Sequence, residues 1–203
     1  MRVLLVAAHP DDGEIGAGGV LALHSMRGDE VFALILTLGE RGGNPEERVE
    51  EALKGCEILG VKEVFFGDLP DTSVMENLSR AISTIEEIVR EFEPDRVYSP
   101  SRRDRHQDHV ATSMAVDAAC KNVKENLKYE TPSTLTEFSP QYFVDISKSI
   151  SRKIEAISAH KSQIRKHRFR IEAIKGLASF RGYQMGVEYA EAFEVRWILR
   201  DGP

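Results

Sequence analysis

Residues 3–8, Val-Leu-Leu-Val-Ala-Ala, form an unbroken apolar run that ends directly in His9-Pro10-Asp11-Asp12-Gly13-Glu14. A strand that is apolar at every position has no solvent face, so it belongs inside a sheet covered on both sides. Such sheets are parallel, need crossover helices, and bind ligands at the carboxyl ends of their strands. The run therefore constrains both the architecture and the place where chemistry would sit.

The rest of the chain agrees with a parallel α/β fold. Residues 31–38, 64–66 and 96–99 read as strands. Helical spacing covers 14–27, 46–59 and 77–92, the last two ended by Gly60 and Pro94. A helix follows Asp108 to about Cys120, and the stretch around Pro132 and Pro140 reads as irregular. Residues 142–146 suggest a strand, 147–160 a helix capped by Ser147, 162–186 further helix, and 192–199 a last strand. The crossovers should be right-handed. No repeat or linker divides the chain, so a single domain over residues 1–203 is expected.

Charge and composition remove several classes of function. The net charge of -6 and 7% aromatic content argue against nucleic acid as a partner. No run of about 18 apolar residues exists for a membrane span. The amino-terminal apolar run is too short for a signal peptide, and Cys56 and Cys120 fit buried small residues rather than a disulfide framework. A cytoplasmic location is expected.

The chemistry lies in two clusters. One imidazole and two adjacent carboxylates, at His9, Asp11 and Asp12, follow the first strand. Crowded carboxylates need a positive partner, and a divalent metal is the simplest one. Asp104-Arg105-His106-Gln107-Asp108-His109 follows the fourth strand and should reach the same sheet edge. His9, Asp12 and His109 then offer three ligands and leave a fourth position open, the arrangement of a catalytic zinc site. Asp11 and His106 remain for proton transfer and carbonyl polarisation. Alternatively, the Asp11-Asp12 pair caps the following helix. Gly13, Gly16, Gly18 and Gly19 do not match a dinucleotide loop, and close helix–sheet packing explains them better.

Ala8-His9-Pro10-Asp11-Asp12-Gly13-Glu14 resembles the A-H-P-D-D-x-E signature of the LmbE-like (PIG-L) deacetylases, and His106-Gln107-Asp108-His109 resembles their H-P-D-H, with Gln107 in place of proline. The stretches 37–42, 48–61, 143–146, 159–163 and 188–193 are also similar to that family. The resemblance implies a Rossmann-like three-layer sandwich and metal-dependent removal of an N-acetyl group from an N-acetylglucosamine-type conjugate. It implies zinc on His9, Asp12 and His109, with iron(II) suited to the same ligands. It further implies Asp11 as base, His106 as oxyanion stabiliser or acid, Asp108 as the residue orienting His106, and sugar contacts from Arg48 and Asp71. A trimer or hexamer is expected by the same analogy. The alternatives are the same metal site acting on a different acylated amine, and a nucleotide-binding Rossmann-like protein. His160 belongs to a family-like stretch, with no role evident from sequence.

Overall fold

The computed structural model describes residues 1–200. In chain order the elements are β1 (Arg2–Ala7), α1 (Asp12–Met26), β2 (Glu30–Thr37), α2 (Pro45–Leu59), β3 (Glu63–Leu69), α3 (Leu78–Phe92), β4 (Arg96–Pro100), α4 (Gln107–Ala119), β5 (Glu125–Tyr129), β6 (Tyr142–Asp145), α5 (Ile150–Ser158), α6 (Lys161–Arg165), α7 (Ile171–Met185) and β7 (Ala190–Ile198). The strands form one sheet in the order β3-β2-β1-β4-β5-β7-β6. β3 through β5 are all parallel, and β7 runs antiparallel to both its neighbours.

The period-two geometry of β1 divides the core. Leu4 and Val6 pack with Phe32, Leu34 and Val97 against Ile85 of α3 and Ala115 of α4. Val3 and Leu5 face the other way, with Val31, Ala33 and Tyr98, against Leu21 of α1 and Cys56 and Leu59 of α2. Two helical layers thus sandwich the sheet, as the fully apolar β1 requires.

Glycines set how closely α1 approaches the sheet. A Cβ added at Gly13 would lie 2.3 Å from Leu5 Cδ2, and one at Gly16 would lie 2.1 Å from the Tyr129 ring. Gly16→Ala gains up to about 1 kcal/mol of helix propensity. Overpacking outweighs this, so a net loss of roughly 1–3 kcal/mol is expected in denaturant unfolding. An unchanged midpoint would contradict the close packing.

The secondary structure departs from the sequence expectations in three places. The stretch after α4 contains β5, whose five residues are all buried although Glu125, Asn126 and Lys128 are polar. Each has a partner: Glu125 pairs with Arg96, Asn126 Nδ2 donates to Asp117, and Lys128 Nζ lies 2.8 Å from Ser99 Oγ and 2.9 Å from Asp117 Oδ1. Burial pulls the Lys128 ammonium down to about 8 despite Asp117. The helix expected over 162–186 breaks between α6 and α7, because Phe169 turns into a cluster with Ile15, Ile157 and Ile174. Finally, Ser147 does not cap α5. Its hydroxyl bonds Asp145 Oδ1 at 2.6 Å, while Ser149 precedes the helix and bonds Gly19 O at 2.8 Å.

Candidate active site

β1 lies between β2 and β4, where the strand order reverses direction. Open α/β sheets form a crevice at such a point, beyond the carboxyl ends of the strands. The loop after β1 carries residues 8–11 there, and the loop after β4 delivers the start of α4. His106 is the N-cap of α4.

The Asp12 carboxylate joins the two clusters. One oxygen lies 3.1 Å from His9 Nδ1 and the other 3.1 Å from His109 Nε2. The remaining nitrogen of each imidazole is held from behind. His109 Nδ1 lies 3.0 Å from Asp104 Oδ2, and His9 Nε2 lies 3.2 Å from both Asp71 Oδ1 and Asp108 Oδ2. The ring nitrogens that face the site therefore converge on Asp12, while carboxylates fix both ring orientations. His106 packs beside them, its ring centroid 4.6 Å from that of His9 and 4.8 Å from that of His109.

The charge balance asks for a cation. Burial disfavours ionisation of Asp12, yet His109 and His9 hold its carboxyl well below the usual range. Burial also disfavours imidazolium, but Asp12 and Asp108 raise His9 well above its ordinary value, and Asp12 and Asp104 raise His109 to about 9. A divalent metal bound at these nitrogens would compete with protons for them. Ligand atoms of His9, His106 and His109 all lie within 4.8 Å of one another, as do those of His9, Asp71 and Asp108. Neither grouping contains Asp12, which instead meets His9 and His109 at 3.1 Å each; two imidazoles and a buried carboxylate are donor types that suit a divalent metal.

Two groups beside the Asp12 bridge remain uncommitted to it. Asp11 is buried with φ +108°, a region that L residues rarely adopt. Such strain persists where the surroundings over-determine it. Arg48 does this, since its Nη2 donates to Pro10 O at 2.6 Å and approaches Asp11 Oδ2 at 3.3 Å, while Nη1 donates to Gly39 O at 2.8 Å. Burial raises the Asp11 carboxyl to about 6 against the pull of Arg48. His106 Nδ1 accepts from the Asp108 N–H at 3.3 Å. In the neutral ring that bond places the proton on Nε2.

All eight sequence candidates meet here. His9, Asp11, Asp12, Arg48, Asp71, His106 and His109 line one pocket of about 410 Å3, and Asp108 lies behind His9. Asp108 differs from expectation. Its carboxylate bonds His9 and the N–H groups of Thr72 and Val74, and it meets His106 only through its own N–H. The start of α4 directs this side chain toward β1. Asp71 likewise holds His9 and the Arg41 N–H, so its carboxylate faces the histidine cluster rather than open solvent.

Asp104 is the residue that sequence reasoning passed over. It stands two positions before His106, and it also accepts from the His106 N–H and from Thr131 Oγ1, both at 2.8 Å. Asp104→Asn is expected to weaken metal affinity about 10- to 100-fold, read by competition with a chelating indicator. Unchanged affinity would mean that Asp104 does not orient His109. His160 is fully buried, with Nε2 2.9 Å from Glu14 Oε1, and ties α6 to α1 behind the site.

The PIG-L family model, GlcNAc-PI de-N-acetylase, matches residues 4–120, which include every one of these site residues except His160. The chain belongs to the PIG-L family. It is 35% identical over 167 residues to the uncharacterized deacetylase YaiS of Escherichia coli, covering 79% of this chain and 90% of that protein. It is 28% identical to the diacetylchitobiose deacetylase of Thermococcus kodakarensis, over 94% of this chain and 81% of the relative. The conserved protein TT1542 of Thermus thermophilus superposes with a TM-score of 0.88 at 31% identity, over 99% and 97% of the two chains. The relatives of this PIG-L protein are not uniform in chemistry, for a 4-oxalmesaconate hydratase of Pseudomonas putida is 27% identical over 79% of this chain and 73% of its own length.

Proposed function

We propose that residues 1–203 act as one metal-dependent amidohydrolase domain that removes the N-acetyl group from an N-acetylglucosamine-type sugar conjugate. The observation that carries this reading is the Asp12 carboxylate bridging His9 and His109, with Asp11 and His106 beside it and committed to neither. That arrangement separates metal ligands from proton-transfer groups, which hydrolysis of an unactivated amide needs. The site takes a small molecule. Among the described residues no helix is long and apolar enough to cross a membrane.

His9, Asp12 and His109 would hold zinc or iron(II), with Asp71, Asp104 and Asp108 behind the imidazoles. When bound, the metal supplies Lewis acidity and makes water a stronger acid. Asp11 takes a proton from the attacking water as its oxygen bonds to the acetyl carbon. His106 Nε2–H donates to the carbonyl oxygen as negative charge develops there. The C–N bond then breaks, Asp11 returns its proton to the leaving nitrogen, and acetate and a free amine depart. Arg48 keeps Asp11 in place by holding Pro10 O and the Asp11 carboxylate, and it lines the pocket that the sugar would enter. Both oxygens of Asp71, by contrast, are taken up by His9 and the Arg41 N–H.

Acetate release from a panel of N-acetylglucosamine conjugates tests the substrate class. Release from sugar conjugates and not from acylated non-sugar amines is the expected result; the reverse preference would move the assignment to another acylated amine. The hydratase relative supplies a further arm. Water addition to an unsaturated dicarboxylate, with no acetate from any amide, would replace the deacetylase reading.

A further inference from the structure

A second chamber adjoins the active-site pocket. It has a volume of about 340 Å3 and lies among α1, α5, α7, β7 and the 167–170 segment. Ile15, Thr131, Pro132, Arg168 and Phe169 line both spaces, so the two lie side by side.

The chamber is apolar in its effective lining. Ile15, Phe169, Ile174, Leu177, Ala178 and Ala192 contribute hydrocarbon surface. The charged groups in its wall are already matched. Lys153 Nζ donates to Ile15 O and to Glu191 Oε1, and Glu191 accepts from the Gly19 and Val20 N–H groups. Arg181 forms a two-pronged pair with Glu130, both contacts at 2.8 Å. His167, Arg168 and Arg170 are exposed, with their charged ends available to water. A hydrocarbon guest therefore leaves no buried polar group without its partner.

We infer that this chamber is a binding site for an apolar aglycone, the hydrocarbon part of a substrate whose acetamido sugar occupies the neighbouring pocket. The inference rests on the deacetylase reading for the sugar half only. A dry apolar cavity of about 150 Å3 holds benzene, so this chamber suits a guest about twice that size, such as an alkyl chain of about eight carbons. The occupant is part of the substrate, because five residues line both the chamber and the acetamide pocket beside it.

The test uses 2-acetamido-2-deoxyglucosides bearing methyl, butyl, hexyl, octyl and dodecyl aglycones, each below its micellar concentration. kcat/KM is expected to rise about two- to fourfold per methylene up to about eight carbons and then level off. Ala178→Leu fills the chamber and Ile174→Ala enlarges it. The octyl-to-methyl ratio within each variant cancels any general loss of activity. That ratio should fall about tenfold or more in Ala178→Leu, and the plateau should move to longer chains in Ile174→Ala. A flat series with methyl glycoside turned over would overturn the inference and leave the deacetylase reading standing. A flat series together with a change of oligomeric state in Ala178→Leu would assign the chamber to a second copy of the chain and would equally overturn it. If no glycoside is turned over, the deacetylase reading fails, and calorimetric binding of the same series decides the chamber alone. Length-dependent binding lost in Ala178→Leu supports the inference, and length-independent binding refutes it.

Discussion

Replacing Asp11 by asparagine is expected to leave fold and metal content unchanged and to reduce turnover about a hundred- to ten-thousandfold. The substitution keeps the shape of the side chain and removes its capacity to take a proton. Asp11 bonds neither His9 nor His109, so the Asp12 bridge and the carboxylates behind the imidazoles survive the change. Arg48 still holds the loop through Pro10 O and Gly39 O, which preserves the strained backbone at residue 11. Steady-state acetate release and metal analysis on the same preparation check this. Near wild-type turnover would show that another group accepts the proton. Loss of metal along with activity would show that Asp11 is a ligand instead.

His109→Ala is expected to reduce metal content to background and to abolish acetate release. His109 Nε2 is the nitrogen that reaches Asp12 from α4, and its removal leaves a single imidazole, His9, to share that carboxylate. It also removes one of the two imidazoles that hold the buried Asp12 carboxyl low, and the imidazole that holds Asp104 low. Buried carboxylates that lose a charged partner are costly, so a lowered melting temperature should accompany the loss. Thermal unfolding separates a folded, metal-free variant from a collapsed one. His109→Gln gives a second reading with a polar side chain in place. Full metal occupancy in either variant would contradict the assignment of His109.

The contrast between these residues reflects what the sequence could and could not disclose. Its apolar first strand identified a doubly covered sheet because residues 3–8 have no polar position to face water. The two clusters were legible because parallel strands end at one edge, so His9 and His109 could be brought together from a separation of 100 positions. β5 was not legible. Its polar residues are buried only because Arg96, Ser99 and Asp117 arrive from other parts of the fold to satisfy them. Asp108 was misdirected for a similar reason. Adjacency in sequence suggested His106, whereas the geometry at the helix start turns the carboxylate toward His9 and gives His106 only the backbone N–H. Asp104 lay in plain view within its cluster, but its role depends on Nδ1 of His109, a contact that spacing alone does not define. The apolar chamber depends on the break between α6 and α7 that lets Phe169 turn inward, and the basic run around it concealed that turn.

A metal held by His9, Asp12 and His109 is expected to drive amide hydrolysis at this site. The most direct test removes the metal with a chelator, verifies its absence, and measures acetate release from an N-acetylglucosamine conjugate before and after zinc or iron(II) is restored. The stripped protein should release no acetate and should recover when the metal is added back. Full activity in verified metal-free protein would contradict this expectation.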